Sequence, residues 1–202
     1  MTAAADGRPI VIRAICRRLG LAPGAPYSHF GSSSQLESVV VYNGLLTLAR
    51  WITERSSGAP SPRARLVAAC HAYRAWALDN PHLFGFVLPT AGRCHDPTLS
   101  AFIHAASQAL AIPATRALRD GWDSGDFSPP SPGPAVHPLM VDGVVSLDSN
   151  ETREANALWI MVHGAVVIEL SIGTHDGWDD GAPVFDWLIE SHISAHLDHQ
   201  RH

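Results

Sequence analysis

Apolar residues recur at the spacing of an α-helix through most of this 202-residue chain, and the alternation typical of β-strands is scarce. The clearest helical runs cover residues 64–80, 151–173 and 182–200, while 96–122 predicts one long helix or two helices broken around Pro113. Apolar residues make up 46% of the sequence, which is enough to bury a core between such helices. We therefore predict an all-α fold.

A further helix is predicted over residues 35–55, and Ser32 with Gln35 has the spacing of a capping box at its start. Residues 56–63 form a loop, and 123–150, with its five prolines between positions 129 and 138, is the least ordered-looking part. The residues of the predicted helix that stand at helical intervals are Leu36, Val39, Val40, Asn43 and Leu46.

The N-terminal part contains two short helical segments separated by a glycine. Residues 10–19 predict a short amphipathic helix that ends at Gly20, and "APGAPYSHF" (22–30) has room for only about two turns. Helix, turn and short helix is the geometry of a helix-turn-helix, whose second helix lies in the major groove of DNA. Spacing alone does not distinguish this motif from a tight corner in a helical bundle.

The charge distribution is uneven along the chain. Residues 1–55 carry six Arg against three acidic residues, a net charge of +3, so the total of −5 leaves −8 for the remainder. A small basic head on an acidic body is compatible with local contact to phosphates. Tyr27 and His29 have polar tips that can donate to phosphate oxygens, although both residue types also serve as ordinary capping and corner residues.

The segment "IRAICRRLGLAPGAPYSHFGSSSQL" closely resembles the DNA-binding segment of the TetR/AcrR family of bacterial transcriptional regulators. Farther along, "AYRAWALDNPHLFGFVL" and "LWIMVHGAVVIEL" look like the ligand-sensing region of the subgroup named for a Trp-His-Gly signature. His163 and Gly164 fit that signature, whereas Val162 precedes them and Trp159 lies one turn earlier. The shared core of the first segment is Leu19, Gly20, Gly24, Tyr27, His29 and Phe30.

The resemblance implies a ligand-responsive repressor that binds double-stranded DNA at an inverted-repeat operator and is released by a small hydrophobic effector. It implies a DNA-binding head over 1–55, a ligand-binding and dimerisation domain over 63–202, and a homodimer formed through 153–199. The residues expected at the DNA are Arg13, Arg17, Ala22, Pro23, Gly24, Ala25, Tyr27, Ser28, His29 and Ser32. For each arginine, the alternative is an ordinary solvated helix face.

The body contains aromatic residues that are candidates for an effector pocket, because such pockets are mostly apolar with a few polar groups. Each of them taken singly fits an ordinary core position equally well. The candidate ligand-binding residues are Tyr73, Trp76, Phe84, Phe86, Phe102, Trp122, Trp159 and His163.

Two features depart from the family pattern and bear on DNA affinity. Only "MTAAADG" precedes the helix predicted over 10–19, which is too short for the usual first helix, so we expect either that this helix is shortened or missing or that the true start lies upstream of Met1. Ser34 stands where the family commonly has a phosphate-binding Lys, and each lost phosphate contact lowers the salt slope of binding by about 0.9. An alternative function is therefore a small-molecule-binding dimer whose DNA binding is weakened or lost.

Other functional classes find little support in the sequence. No nucleophile–base pair, phosphate loop or paired carboxylates has characteristic spacing, so we expect neither an enzyme nor a cofactor. His192, His196 and His199 share a helical face, yet a metal site is the weaker reading. We expect no secretory signal, a cytoplasmic protein, and a buried rather than membrane-spanning helix at 157–170.

Overall fold

The computed structural model describes residues 32–91, 97–128, 149–172 and 181–197. These residues form six α-helices, and no strand occurs among them, so the prediction of an all-α fold is confirmed. The helices are α1 (Ser33–Ser56), α2 (Pro62–Asp79), α3 (Pro81–Ala91), α4 (Pro97–Ser124), α5 (Ser149–Ile172) and α6 (Ala182–His196).

Helix α1 begins where the sequence predicted. The Ser32 hydroxyl accepts a hydrogen bond from the backbone N–H of Gln35 at 3.2 Å, which satisfies one of the free amides of the first turn. The buried face of α1 lies beside the predicted stripe, because Leu36, Val39 and Leu46 are only half-buried. The apolar side chains of α1 that the fold buries are Val41, Leu45, Leu48, Ala49 and Ile52.

Helices α1, α2 and α4 pack against one another and form the centre of the domain, while α3 lies across α1. The crossing of α1 and α3 depends on Gly44, because a Cβ there would lie 2.6 Å from Cγ2 of the fully buried Val87. The core is centred on Trp76 and Tyr73 of α2, which are 2% and 3% exposed.

Helix α4 is continuous, so the first of the two predicted alternatives is confirmed. Pro113 lies inside it and cannot donate to the carbonyl of Ala109, which normally breaks a helix. Here both residues line a wide solvent-accessible groove, where water can satisfy the free carbonyl. The packing of α4 against α1 and α2 holds the helix together on its other side.

Helices α5 and α6 are tied to α2 by charged pairs. Arg74 donates two hydrogen bonds to the carboxylate of Glu169, at 2.8 and 2.6 Å, and both side chains are largely buried. Glu169 also lies so close to Gly181 that a Cβ there would be 2.6 Å from its Oε1. On the surface, Arg63 pairs with Glu190 at 2.5 Å. These contacts place the two C-terminal helices on one side of the bundle.

Candidate functional site

A cavity of about 60 Å³, open on one side, lies between α1, α2, α4 and α5. Its walls are mostly aliphatic and aromatic, and none of the lining side chains carries a charge. The lining residues are Ile52, Ala69, Cys70, Tyr73, Leu110, Ala111, Ala114, Ala155, Asn156, Leu158, Trp159 and Val162. Because α1 contributes Ile52, this cavity touches the helix that continues directly from the N-terminal segment.

Three polar groups reach the cavity, from Cys70, Tyr73 and Asn156. Burial raises the pKa of the Cys70 thiol to about 12, so this group stays protonated and behaves as a small apolar side chain. Burial also raises the pKa of Tyr73 well above its usual 10, which keeps the phenol a hydrogen-bond donor. The cavity is therefore suited to an uncharged molecule.

An aromatic cluster formed by Tyr73, Phe84, Trp159 and His163 supports one end of the cavity. The Tyr73 hydroxyl lies 2.8 Å from Nδ1 of His163, and the indole of Trp159 stacks on the imidazole with centroids 5.2 Å apart and planes inclined by 11°. Tyr73 meets Trp159 and Phe84 edge-on, at 5.1 and 5.6 Å. Each ring is thus fixed by at least two neighbours.

The hydrogen bond between Tyr73 and His163 has a defined direction. Burial lowers the pKa of His163 below its usual 6.5, so the imidazole is neutral at neutral pH. Since the phenol keeps its proton, Tyr73 donates and Nδ1 accepts, which leaves the imidazole proton on Nε2. Protonation of Nδ1 at acidic pH would remove this acceptor.

The structure brings together some of the predicted ligand-binding residues and separates others. Tyr73 and Trp159 line the cavity, and His163 and Phe84 lie behind them in the aromatic cluster. Four predicted residues lie elsewhere. Trp76 is in the core, and Phe86 packs against it. Trp122 has a buried indole N–H without a hydrogen-bond partner among the described residues. Phe102 is 53% exposed and lies beside Tyr42.

Ten of the twelve residues lining the cavity were not predicted from sequence, because the candidates were aromatic residues and a histidine. Five of these ten residues are small, among them Ala111 and Ala114 of α4 and Ala155 of α5. The available signal was the helical spacing of Ala155, Leu158, Trp159 and Val162, which places them on one face of α5. Sequence periodicity identifies that face but does not show that it borders a cavity.

Nearly all of the residues predicted to contact DNA lie outside the described residues. Among them only Ser32 is described, and its hydroxyl caps α1. A serine in this position contacts the first turn of the helix and stays exposed to solvent. The assignments from Arg13 to His29 therefore remain predictions.

Helices α5 and α6 expose apolar residues on the side away from the core. In α5 the buried series Leu158, Val162 and Val166 alternates with an exposed series, and Gly164 lies on the exposed side with open space around it. In α6 Trp187 is 65% exposed. The exposed apolar residues of these two helices are Ile160, Val167, Ile168, Ile172, Val184 and Trp187, which we call the C-terminal apolar face.

The expectation of a buried helix at 157–170 was wrong in part. By length and composition, the stretch Arg153–Ile172 is apolar enough to cross a membrane, with a mean hydropathy of 1.6 and only 17% of its residues buried. The sequence pattern did not show which apolar residues would be exposed, because apolar residues occupy both faces of α5 and the core covers only one of these faces. Among the described residues, no group of three or more His, Cys, Asp or Glu could hold a metal ion.

Comparison with known proteins places this bundle in a family. Residues 66–192, more than half of the chain, match the family described as "Tetracyclin repressor-like, C-terminal domain". A Rhodococcus sp. RHA1 protein of unknown function has a similar structure, with a TM-score of 0.69, 20% identity, and coverage of 93% of this chain and 84% of that chain.

Two further solved structures carry regulator names. A regulatory protein of the tetR family from Rhodococcus RHA1 aligns with a TM-score of 0.65 at 19% identity, covering 90% of this chain and 83% of that one. The TetR family transcriptional regulator PfmR from Thermus thermophilus aligns with a TM-score of 0.63 at 17% identity, covering 89% and 87%. No curated protein matches the chain in sequence. The chain therefore belongs to the TetR/AcrR family of transcriptional regulators.

Proposed function

We propose that this chain is a homodimeric repressor that binds an inverted-repeat operator and is released from it by a small hydrophobic molecule. The observation that carries the proposal is the uncharged cavity that includes Ile52 of α1. Helix α1 continues directly from residues 10–31, the segment that resembles a helix-turn-helix. A change in the cavity can therefore reach the DNA-binding segment along α1, over the about 30 Å that separate Ile52 from Ser32.

The chemistry of the cavity defines the class of effector. With no charged side chain in the walls, an ionic ligand would lose its hydration without compensation, so the effector is uncharged. Because Tyr73 donates its proton to His163, its oxygen can only accept from a ligand, so Tyr73, together with the amide of Asn156, favours a ligand with a hydroxyl or another hydrogen-bond donor at one end. Trp159 and the alanines of α4 and α5 favour a flat or slender apolar body.

The size of the cavity suggests how binding changes the structure. A volume of about 60 Å³ corresponds to roughly two water molecules, whereas small-molecule pockets usually measure about 300–1,000 Å³. An effector larger than a few atoms must therefore either extend out of the open side of the cavity or displace the helices that line it. Because α1 is one of those helices, this displacement would alter the spacing of the two DNA-binding segments in a dimer.

The C-terminal apolar face supports the homodimer. Six apolar side chains exposed on two adjacent helices form an apolar patch of the kind that marks protein–protein interaction sites. Two copies packed through α5 and α6 would bury this face as a four-helix bundle, and Gly164 allows the helices to approach closely. This accounts for the hydropathy of α5 without a membrane, as expected of a cytoplasmic family member that is not an enzyme.

Binding of the purified protein to the intergenic DNA beside its gene tests the proposal. Fluorescence anisotropy with labelled duplex should show binding that weakens steeply with salt, because phosphate contacts release counterions. His29→Ala should weaken operator binding about 25-fold to 100-fold, because the dimer would lose one hydrogen bond to a phosphate, worth about fivefold to tenfold, in each half-site. The matched control is His82→Ala, which removes an exposed histidine of α3 and should leave binding unchanged.

A second variant tests the link to the cavity. Ala114→Leu places three additional heavy atoms in the cavity and should leave operator binding intact while abolishing release by the effector. If a well-folded dimer shows no salt-sensitive binding to the flanking DNA, the repressor proposal is wrong.

A further inference from the structure

A second concavity, a groove of about 640 Å³, lies between α1 and α4 close to the start of α2. Its floor is apolar and its rim is polar. The residues of the floor are Leu46, Ala49, Ala109, Ile112 and Pro113 together with the buried Ser56, whose hydroxyl donates to the carbonyl of Ile52, and those of the rim are Arg50, Thr53, Ser57, Arg65, Arg116 and Asp120. We call this feature the arginine groove.

The arginine groove is separate from the effector cavity, although the same two helices border both. On α1, Ile52 faces the cavity and its neighbour Thr53 faces the groove. On α4, Ala114 faces the cavity and its neighbour Pro113 faces the groove. The packed pair of helices is thus a wall with one concavity on each side.

The two concavities differ in charge. The cavity has no charged wall, whereas three arginines and one aspartate give the groove a net charge of +2. Arg65 is already paired with Asp120, at 2.7 Å. Arg50 of α1 and Arg116 of α4 have neither a hydrogen bond nor an ion pair with any residue in the described part of the chain. Two guanidinium groups without an ionic partner among the described residues therefore line one groove, Arg50 on the α1 side and Arg116 on the α4 side.

We propose that the arginine groove is a second ligand site, which binds an organic anion with an apolar body. A guanidinium group matches a carboxylate or phosphate in charge and in its paired donors, so Arg50 and Arg116 would hold the anionic head from two sides. The apolar floor would cover the body of the ligand. The volume of the groove lies in the range of sites for drug-sized molecules.

Binding of a ligand to the arginine groove is expected to hold α1 and α4 together. A ligand held by Arg50 and Arg116 bridges α1 to α4, so it stabilises the folded chain by an amount that grows with the logarithm of its concentration over Kd. This inference does not depend on the proposed repressor function, because it concerns a different face of the helices and predicts binding without DNA.

Isothermal titration calorimetry on the full chain tests the site with three probes that share one apolar body. The probes are 4-butylbenzoate, 4-butylphenyl phosphate and the uncharged 4-butylbenzyl alcohol. We expect the two anions to bind at least tenfold more tightly than the alcohol, and the ratio between carboxylate and phosphate identifies the preferred head. Their affinity should fall as salt is added.

Three variants locate the binding. Arg50→Gln and Arg116→Gln should each weaken 4-butylbenzoate about tenfold, the loss of a charge-assisted hydrogen bond. The control Arg55→Gln removes a guanidinium from the same helix that stacks on Trp51 outside the groove, and it should leave affinity unchanged. Both groove arginines are exposed, so the variants should fold, as circular dichroism would verify.

Three results would overturn the assignment. The first is equal affinity of wild type for 4-butylbenzoate and 4-butylbenzyl alcohol. The second is the same loss in Arg55→Gln as in the groove variants, since this would reflect general charge. The third is loss of benzoate binding in Ala114→Leu with no loss in Arg116→Gln, which would place the anion in the effector cavity.

Discussion

Trp187 offers a sharp test of the dimer, because its exposure sets the size of the effect. A tryptophan side chain buries about 250 Å² when fully covered, so at 65% exposure about 160 Å² of Trp187 is available to a partner. At about 25 cal/mol per Å², full coverage would contribute about 4 kcal/mol. If only half of this area is covered, Trp187→Ala loses about 2 kcal/mol per subunit.

The symmetry of a dimer doubles this loss. A two-fold interface contains the tryptophan twice, so Trp187→Ala should weaken association by about 4 kcal/mol, roughly a thousandfold in Kd. Sedimentation velocity over a concentration series would measure the shift from dimer to monomer. Phe102→Ala is the matched control, since Phe102 is a 53% exposed aromatic residue on α4, outside the two C-terminal helices. An unchanged Kd for Trp187→Ala, or an equal change for the control, would refute the proposed interface.

Three further predictions concern stability. Glu169→Gln removes the negative charge that faces the Arg74 guanidinium, in a pair that is only 12% and 16% exposed. Urea titration should therefore show that the free energy of unfolding falls by about 3 kcal/mol. A fall below about 0.5 kcal/mol would mean that the pair behaves as a surface pair. Gly44→Ala places a Cβ 2.6 Å from Cγ2 of Val87 and should lower Tm. The overpacking costs about 1–3 kcal/mol, whereas the higher helix propensity of alanine contributes about 1 kcal/mol. A raised Tm would contradict this prediction. Burial lowers the pKa of His163, so the contribution of the neutral imidazole to stability is complete above the unfolded pKa of about 6.5 and is lost as the pH falls toward the folded pKa. The free energies of unfolding measured by urea titration at about pH 7.5 and 5.5 should therefore differ less in His163→Gln than in wild type.

The helices could be predicted from sequence because their signals are local. Ser32 caps α1, and Asn80 followed by a proline ends α2, both as the residue types suggest. The continuity of α4 through Pro113 could not be decided in the same way. It depends on the contacts with α1 and α2 and on solvent access along the groove, which are tertiary features.

The candidate site was only partly predictable, because a cavity depends on where side chains are small. The search for aromatic residues found Tyr73 and Trp159 but also selected Phe102, which the fold leaves exposed. Ala111 and Ala114 line the cavity because helices α1, α2 and α5 surround that part of α4. No pattern within a single helix contains this information, since the space arises from four helices that are distant in sequence.

Helix α1 is the element through which the cavity, the arginine groove and the DNA-binding segment would influence one another. A ligand shifts a conformational equilibrium only by the difference between its affinities for the two states. An effector that displaces the helices around the cavity would separate α1 from α4 and α5, whereas an anion bound by Arg50 and Arg116 would hold α1 against α4. The two ligands should therefore oppose each other, and by linkage each should weaken the binding of the other by the same factor. If each ligand instead strengthened the binding of the other, the effector would not act by separating α1 from α4.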